Sequence, residues 1–460
     1  MGINTRYTIG KILLLFVLLS AASFFAAAQT ITDASTQETL TEVSRLMERR
    51  EFTAALALFD TISAEARQTT ERQLLRASLL NAAGRPADAR SIASGIVSRE
   101  PDNVDALLVL ASSAALTGNE REQRTSLDRV LRADPQNLKA HSDLGYIALQ
   151  TNSVRTAAGH FDRALAIDPN YREALVGRAI AYRYSGDLRR SEQLLNQAIR
   201  QNPQWATPYH ERARLYKGAG FPEDALLDLD TAKSLEPENY WISVDRAATL
   251  LDLNRRPEAL EELNHSVALD PRGFLGYVYR AGIRDDMGYF NDAAEDYQVL
   301  TRIRPEYYFA AEGLGIIKMR NRQFTEARDA FLTAYRQAPR EFRYALLAAY
   351  NWMKAGRTSD PKQFITQVLR TAPRDSAEWR LLRLYHDLSG DMDVIANANR
   401  EQNLDTKSMM FFYIALYYDA IGSRTLANNF FLQVKELNRT HTIEWKMNEM
   451  MLDDRGINLQ

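Results

Sequence analysis

The chain has 460 residues, of which 45% are hydrophobic and 25% charged, and its formal net charge is −2 at pH 7. This composition is that of a folded protein, and the length is too great for one compact core, so the chain must divide into domains or stack repeats. The nearly balanced charge gives no electrostatic case for nucleic-acid binding, and the absence of cysteine excludes disulfides, thiolate metal sites and cysteine nucleophiles.

The first 28 residues predict an export signal. Arg6 and Lys11 precede an apolar run at residues 12–25, and alanines occupy residues 26–28. A positive start, a short apolar stretch and a small-residue ending are the features of a secretory signal peptide. The sequence therefore predicts an exported protein.

Cleavage is expected after Ala28, which leaves a flexible leader at residues 29–35 and places the mature protein in the periplasm. The alternative is an uncleaved anchor in the inner membrane, because residues 9–28 reach the ~20 residues that span a bilayer. No other segment approaches that length. We therefore expect no membrane insertion after the signal is cleaved.

Prolines divide the rest of the chain into copies of equal length. Nine of the 14 prolines recur at intervals of 34 residues. These are Pro101, Pro135, Pro169, Pro203, Pro237, Pro271, Pro305, Pro339 and Pro373. A fixed period of this size is the signature of a repeat architecture, in which each copy stacks on its neighbours.

Other columns share this period when each copy is numbered so that its proline is position 32. Position 8 is alanine or glycine, and position 20 is alanine in most copies, which lets two helices approach closely. Position 24 supplies a bulky residue, such as Phe161 or Leu229. Position 15 is glycine or asparagine in nine copies, and these residues most easily end a helix in the left-handed conformation. Each copy therefore consists of helix A, a turn, helix B and a second turn.

These columns resemble the tetratricopeptide repeat, whose pattern has Gly or Ala at position 8, Ala at 20 and 27, an aromatic residue or Leu at 24, and Pro at 32. The best copy spans residues 138–170 and contains Gly145, Ala157, Phe161 and Pro169. The resemblance implies an all-α fold, a right-handed α-solenoid of about eleven to twelve helix-turn-helix repeats.

The same pattern predicts the organisation of the chain. Residues 36–375 form the repeat array, 376–440 form divergent terminal repeats or a cap, and 441–460 form a C-terminal tail. Pro361 replaces the alanine of position 20, so the second helix of that copy is expected to start late. The aromatic cluster at 409–413 is interpreted as the core of a last hairpin, with an exposed docking patch as the alternative.

Position 7 carries a column of arginines that we interpret as structural rather than as an anion or nucleic-acid track. In three copies an acid stands at position 23 of the same repeat, which suits bidentate pairing. The predicted pairs are Arg212 with Asp228, Arg246 with Glu262, and Arg280 with Asp296. Arg76 and Arg178 face Ile92 and Leu194 instead, so the pattern assigns them no partner.

The resemblance also implies a binding surface, because the A helices of such arrays line the concave face. Positions 2, 5, 6, 9, 12 and 13 are expected to point into it, and aromatic and arginine side chains there are typical of binding hot spots. The candidate partner-binding residues are Tyr146, Arg183, Tyr184, His210, Arg214, Lys217, Trp241, Tyr279, Phe309, Arg343 and Tyr350.

No motif in the sequence indicates catalysis. The six histidines are assigned to separate repeats and show no ligand spacing, and there is no phosphate-binding glycine loop and no nucleophile motif. We therefore expect no enzyme activity, no metal and no cofactor.

The function expected from these patterns is that of a non-catalytic scaffold or adaptor, which binds protein or peptide partners in the bacterial cell envelope. One alternative is a periplasmic component of a polysaccharide or outer-membrane export machine. Another is a glycan-binding protein that stacks sugars on its groove aromatics. The sequence leaves the identity of the partner and the oligomeric state open.

Overall fold

Helices make up most of the described part of the chain. The computed structural model describes residues 34–357 and 360–457, and the predicted signal peptide at 1–28 lies outside them. Those two ranges contain 25 α-helices and no strand, which confirms the all-α prediction. None of these 25 helices has the length and apolar character that crossing a bilayer requires.

The chain divides into two units, residues 1–253 and 254–460. The described helices of the first unit are α1 (Ala34–Glu48), α2 (Phe52–Phe59), α3 (Thr70–Ala82), α4 (Pro86–Arg99), α5 (Val104–Leu116), α6 (Glu120–Ala133), α7 (Leu138–Gln150), α8 (Val154–Ile167), α9 (Arg172–Tyr184), α10 (Leu188–Gln201), α11 (Ala206–Gly218), α12 (Pro222–Leu235) and α13 (Tyr240–Asp252). Those of the second unit are α14 (Arg256–Leu269), α15 (Phe274–Asp286), α16 (Phe290–Ile303), α17 (Tyr308–Arg320), α18 (Phe324–Gln337), α19 (Phe342–Lys354), α20 (Asp360–Val368), α21 (Ala377–Asp387), α22 (Asp391–Arg400), α23 (Leu404–Ala420), α24 (Arg424–Leu437) and α25 (Ile443–Asp453).

Within each unit, consecutive helices pack against each other and A helices stack on A helices. In the first unit α3 contacts α5, and α9 contacts both α7 and α11, which in turn contacts α13. In the second unit α21 contacts α19 and α23, and α23 also contacts α19 and α25. This nearest-neighbour stacking is the arrangement of an α-solenoid, as the repeat period predicted.

The turn between helix A and helix B follows the predicted chemistry. Gly84 has φ = 77° and Asn152 has φ = 57°, so position 15 adopts the left-handed conformation that these residues tolerate best. Arg50 and Arg322 occupy the same position with φ of 59° and 57°. The repeat geometry therefore imposes this conformation even where the local residue does not favour it.

Phe161 shows how the core of a repeat is filled. Its ring is fully buried and lies between Gly145 of its own repeat and Gly177 of the next. A Cβ atom added at Gly145 would lie 2.6 Å from the ring, and one added at Gly177 would lie 2.2 Å from it. The small residue at position 8 and the bulky residue at position 24 are therefore complementary, as the sequence predicted.

The C-terminal part differs from the regular array. Helix α20 is described over Asp360–Val368, only 9 residues; the late start expected at Pro361 stays a prediction, because residues 358–359 lie outside the described residues. Residues 441–460 were interpreted as a tail, but the structure has helix α25 there, in which Met447 and Leu452 are buried. No proline of the 34-residue series marks this helix, so the repeat pattern gave no sign of it.

The aromatic cluster at 409–413 is core. Phe412 and Tyr413 are fully buried in α23, and Phe411 is almost fully buried. The Phe412 ring centroid lies 6.2 Å from that of Phe431 on α24. The cluster is therefore the interior of the terminal hairpins, and the alternative of an exposed docking patch at these residues is wrong.

Candidate functional site

The arginines of position 7 form ion pairs within their own repeats where an acid was predicted. Arg212 donates from Nε and Nη2 to the two carboxylate oxygens of Asp228, at 2.7 and 2.6 Å. Arg280 holds Asp296 in the same way, at 3.0 and 2.6 Å. Both acids are buried. These two predicted pairs are confirmed. The third, Arg246 with Glu262, spans the two units and stays a prediction.

The arginines of position 7 also donate to a residue of the preceding repeat, at its position 25. Each of the five arginines has an Asp or Asn sixteen residues before it. The contacts are Arg76 to Asp60 at 2.7 Å, Arg178 to Asp162 at 2.6 Å, Arg212 to Asn196 at 2.5 Å, Arg246 to Asp230 at 2.7 Å and Arg280 to Asn264 at 2.9 Å. Arg76 and Arg178, which the sequence left without partners, therefore have carboxylates from the preceding copy.

A charged network joins three neighbouring A helices of the first unit. Arg183 on α9 donates to Glu211 on α11 at 3.0 Å, and Arg214 donates to the other oxygen of Glu211 at 2.8 Å. Arg214 also reaches Asp245 on α13, with Nη2 at 2.6 Å from Oδ2. His210 Nε2 lies 2.6 Å from the same oxygen. The predicted residues Arg183, His210 and Arg214 therefore lie together, and two acids bridge them.

Burial and charge oppose each other in this network. Burial disfavours the ionised form of Asp245, but the charge of Arg214 and a hydrogen bond from His210 outweigh it and lower the pKa of Asp245 well below its usual range. Glu211 behaves alike, because Arg214 and Arg183 lower its pKa against the effect of burial. Both acids are thus held as carboxylates, which fixes the arginine side chains in position.

Two predicted residues form a more open rim beside this network. The Tyr184 residue is 36% exposed, and the Arg183 guanidinium lies 4.9 Å from its ring centroid. Lys217 Nζ is 3.4 Å from Asp252, and both side chains are partly exposed. Tyr184 and Lys217 are therefore accessible to a partner at the edge of a rigid charged surface. We define the first-unit face as Arg183, Tyr184, His210, Glu211, Arg214, Lys217, Asp245 and Asp252.

Three of the predicted partner-binding residues are core residues instead. Tyr146 is fully buried and donates to the Glu173 carbonyl at 2.9 Å, and burial raises the pKa of Tyr146 well above its ordinary value. Tyr350 is also buried and donates to Asp419 at 2.8 Å. Trp241 is 8% exposed. Their prediction as groove contacts is wrong, because these side chains are buried.

The remaining candidates lie in the second unit and differ in exposure. Phe309 is 48% exposed, and its ring centroid lies 4.3 Å from that of Tyr308. Arg343 is mostly buried, with Nη2 3.1 Å from Glu341. Tyr279 is half-buried. Within the second unit, Phe309 is thus the candidate most open to solvent.

Family comparisons identify the repeat directly. Models of the tetratricopeptide repeat match residues 148–214, and also 74–137, 283–342 and 312–360. The chain is 30% identical to tetratricopeptide repeat protein 6 of Homo sapiens over 113 residues, which are 24% of this chain and 21% of that protein. This chain is a tetratricopeptide repeat protein. It spans about a fifth of the length of that human relative.

This tetratricopeptide repeat protein is similar to chains in solved structures. The crystal structure of the APC/C hetero-tetramer Cut9–Hcn1 matches 71% of this chain and 66% of its own, with a TM-score of 0.50 and 13% identity. A tetratricopeptide repeat protein from Parabacteroides merdae matches 55% of this chain and 99% of its own, with a TM-score of 0.44 and 17% identity. The matched repeats themselves support a repeat scaffold for protein interactions.

One pair of histidines in the tetratricopeptide repeat protein was missed by sequence reasoning. His141 and His160 were assigned to separate repeats, but both belong to the copy at 138–170, at positions 4 and 23. Their Nδ1 atoms are 3.4 Å apart, and His141 Nε2 is 3.1 Å from the Pro135 carbonyl. Burial, together with the neighbouring His141, lowers the pKa of His160 to about 4.

This histidine pair does not belong to a larger ligand set. In the part of the chain that the structure describes, no group of three or more His, Asp or Glu side chains is arranged to hold a metal ion. The two histidines lie on helix A and helix B of one hairpin. His160 holds position 23, where other repeats place the acid of an arginine–acid pair. It is therefore a variant of the packing between helix A and helix B.

Proposed function

We propose that this tetratricopeptide repeat protein is an exported scaffold of the bacterial cell envelope, and that it binds a peptide segment of a partner protein along the first-unit face. The proposal of export is supported by the pattern of residues 1–28. The proposal of peptide binding is supported by the network of Arg183, Glu211, Arg214 and Asp245, which is the observation that carries it.

Preorganisation is the physical reason for choosing this face. The two arginines are held by two carboxylates, so their side-chain freedom is lost on folding and need not be lost again on binding. Tyr184 and Lys217 lie at the accessible edge, where an aromatic ring and a cation can contact a partner. A peptide that carries both an apolar and an acidic side chain suits this combination.

Site-specific photo-crosslinking in the native host tests the binding face. A photoreactive phenylalanine analogue replaces Tyr184, Lys217 or, as the control, Leu227, which is 67% exposed on the B helix α12. We expect the same protein adduct from residues 184 and 217 and none from residue 227. A matching adduct at all three positions, or no adduct at 184 and 217, contradicts the proposed face.

Export is tested separately by fractionation and N-terminal sequencing. The mature chain is expected in the periplasmic fraction with Gln29 as its first residue. Recovery of the intact N-terminus in the membrane fraction after alkaline carbonate washing indicates the anchored alternative. Recovery of the intact chain from the cytoplasm contradicts export, and it leaves the crosslinking result to be judged on its own.

A further inference from the structure

A cavity of about 530 Å³ opens on the surface of the first unit, between α3, α4 and the segment that precedes α3. Its lining includes three arginines from these three parts of the chain. They are Arg67 before α3, Arg76 on α3 and Arg99 at the end of α4. The volume is within the ~300–1,000 Å³ range of small-molecule sites. No part of the first-unit face contributes to this lining.

The cavity has more positive than negative charge. Asp60 accepts from Arg76 at 2.7 and 3.2 Å and from Arg67 at 3.2 Å. These contacts, chiefly the hydrogen bond from Arg76, lower the pKa of Asp60, so this carboxyl is ionised. Arg99 donates to the Gln73 side chain at 3.2 Å, and no carboxylate among the described residues lies within ion-pair distance of it. Three cations thus share one anion.

Comparison with sibling repeats shows where this repeat leaves space beside helix A. Arg212 and Arg280 each hold an acid of their own repeat at position 23, in addition to a partner in the preceding repeat. In the repeat of Arg76, position 23 is Ile92, and Ile92 lines the cavity. Gly95, which also lines it, leaves open space, because nothing lies within 4 Å of a Cβ added there. The acid that pairs with Arg76 is Asp60 of the preceding copy instead, whereas Arg212 and Arg280 have asparagines there, so in this repeat the space beside position 23 is left open.

An unpaired hydrogen-bond donor also favours the binding of an anion from outside the chain. The Nε–H group of Arg67 is shielded from solvent and has no acceptor among the described residues. Shielded donors are nearly always paired in native proteins, so such a group calls for an acceptor. An oxyanion in the cavity supplies acceptors for the arginine donors that Asp60 and Gln73 do not use.

We infer that this cavity binds a phosphomonoester group. A phosphomonoester carries about −1.5 to −2 charges at pH 7 and three acceptor oxygens, which match an excess of two positive charges. Guanidinium groups bind phosphate oxygens in bidentate geometry, and three arginines from different parts of the fold surround the ligand. The group belongs either to a small phosphate ester or to a phosphorylated side chain of another polypeptide.

Calorimetric titration of the mature chain tests the inference. The probes are phenyl phosphate, a short phosphoserine peptide, its unphosphorylated form and benzoate. We expect phenyl phosphate to bind, benzoate to bind at least about tenfold more weakly, and affinity to fall as salt rises. Binding of phenyl phosphate alone assigns the site to small esters, and binding of the phosphopeptide as well shows that a polypeptide can enter. Absence of phosphate binding, or equal binding of benzoate, overturns the inference.

Two single substitutions test whether phenyl phosphate binds in this cavity. Arg99→Gln removes one cation that lies outside the Asp60 contacts, and we expect it to weaken phenyl phosphate binding by about tenfold or more. The matched control is Arg132→Gln, because Arg132 lies in the last turn of helix α6 and, like Arg99, bonds to a backbone carbonyl four residues earlier on its own helix. Equal losses in the two variants overturn the assigned site.

A second variant fills the missing position. Ile92→Asp places a carboxylate where Asp228 and Asp296 stand in their repeats, and we expect it to abolish phosphate binding because the chain then supplies its own anion. Circular dichroism checks that this variant is folded. A folded Ile92→Asp protein that binds phenyl phosphate as tightly as the parent contradicts the inference.

Discussion

Arg214 and Asp245 face each other from neighbouring A helices, with Nη2 of the arginine 2.6 Å from Oδ2 of the aspartate. Each side chain is only 18% exposed, so water screens the pair little. Their contact ties α11 to α13 across a repeat boundary. Arg214 and Asp245 therefore contribute both to the stability of the fold and to the proposed binding face.

Asp245→Asn is expected to lower the free energy of unfolding by about 2 kcal/mol, because it removes one of the two carboxylates that neutralise the buried Arg214 and leaves only Glu211. Chemical denaturation followed by circular dichroism measures this. The control is Asp252→Asn on the same helix, where the partner Lys217 and the aspartate are more exposed, and a loss below about 1 kcal/mol is expected. Similar losses in the two variants would contradict the ranking.

The Asp245 carboxyl also implies a dependence of stability on pH. Its pKa is lower in the folded than in the unfolded chain, so its contribution to stability is present above the ordinary value of 3.8 and is lost as the pH falls through the native pKa. The difference in stability between the parent and Asp245→Asn should therefore shrink on acidification below pH 4. A difference that is independent of pH would argue against an ionised Asp245.

Arg280→Lys tests whether the position-7 column depends on the guanidinium fork. Arg280 bonds Asp296 through two nitrogens and Asn264 through a third, and a lysine cannot reproduce this geometry. We expect a loss of about 1–2 kcal/mol in unfolding free energy. Arg302→Lys on α16, whose arginine makes a long bond to a backbone carbonyl, is the control and should change little.

Gly145→Ala tests the packing of Phe161. Alanine normally stabilises a helix relative to glycine by about 1 kcal/mol, but here its Cβ would lie 2.6 Å from the Phe161 ring, so we expect a net loss of about 1–3 kcal/mol. Gly159→Ala on α8 is the control, since nothing lies within 4 Å of its Cβ, and it should be neutral or stabilising.

The double variant Gly145→Ala with Phe161→Leu completes this test. Leucine at position 24 stands with alanine at position 8 elsewhere in the chain, as in Leu229 with Ala213. We therefore expect the two changes to be less costly together than the sum of their separate effects. Simple additivity in a double-mutant cycle would show that the ring and the glycine are not coupled.

His160 predicts a second effect of pH on stability. Its pKa is lowered from 6.5 to about 4 on folding, so between these values the unfolded chain binds more protons and stability falls as the pH falls. Thermal unfolding at pH 7.5 and at pH 5 should show a larger drop in Tm for the parent than for His160→Gln. Equal drops in the two proteins would rule out this histidine as the source.

The fold was predictable from the sequence because its signals are local and repeated. Pro169 and Gly186 end helices by their own backbone preferences, and Gly145 with Phe161 reveals close packing through size alone. The backward contacts of Arg76 and Arg178 were missed because partners were sought only within a single repeat. Comparing position 7 with the residue sixteen places earlier would have found them.

The candidate site was less predictable than the fold. The position within a repeat predicts the direction in which a side chain points from its helix. The burial of Tyr146 and Tyr350 depends instead on which residues of other helices pack against them. Tyr350, for example, bonds Asp419, which lies 69 residues further along the chain. Such contacts depend on the local curvature of the stack, which a list of columns does not contain.

The backward arginine contacts also bear on the mechanics of the first unit. Where Arg76, Arg178 or Arg212 donates to the preceding repeat, a force applied to one hairpin is transmitted to the hairpin before it. Leu110 and Leu144 hold the same position and cannot make this contact, although Arg90 on α4 pairs with Glu122 on α6 across the boundary before Leu110. Under tension the first unit should therefore yield first between the hairpin of Leu144 and the hairpin before it.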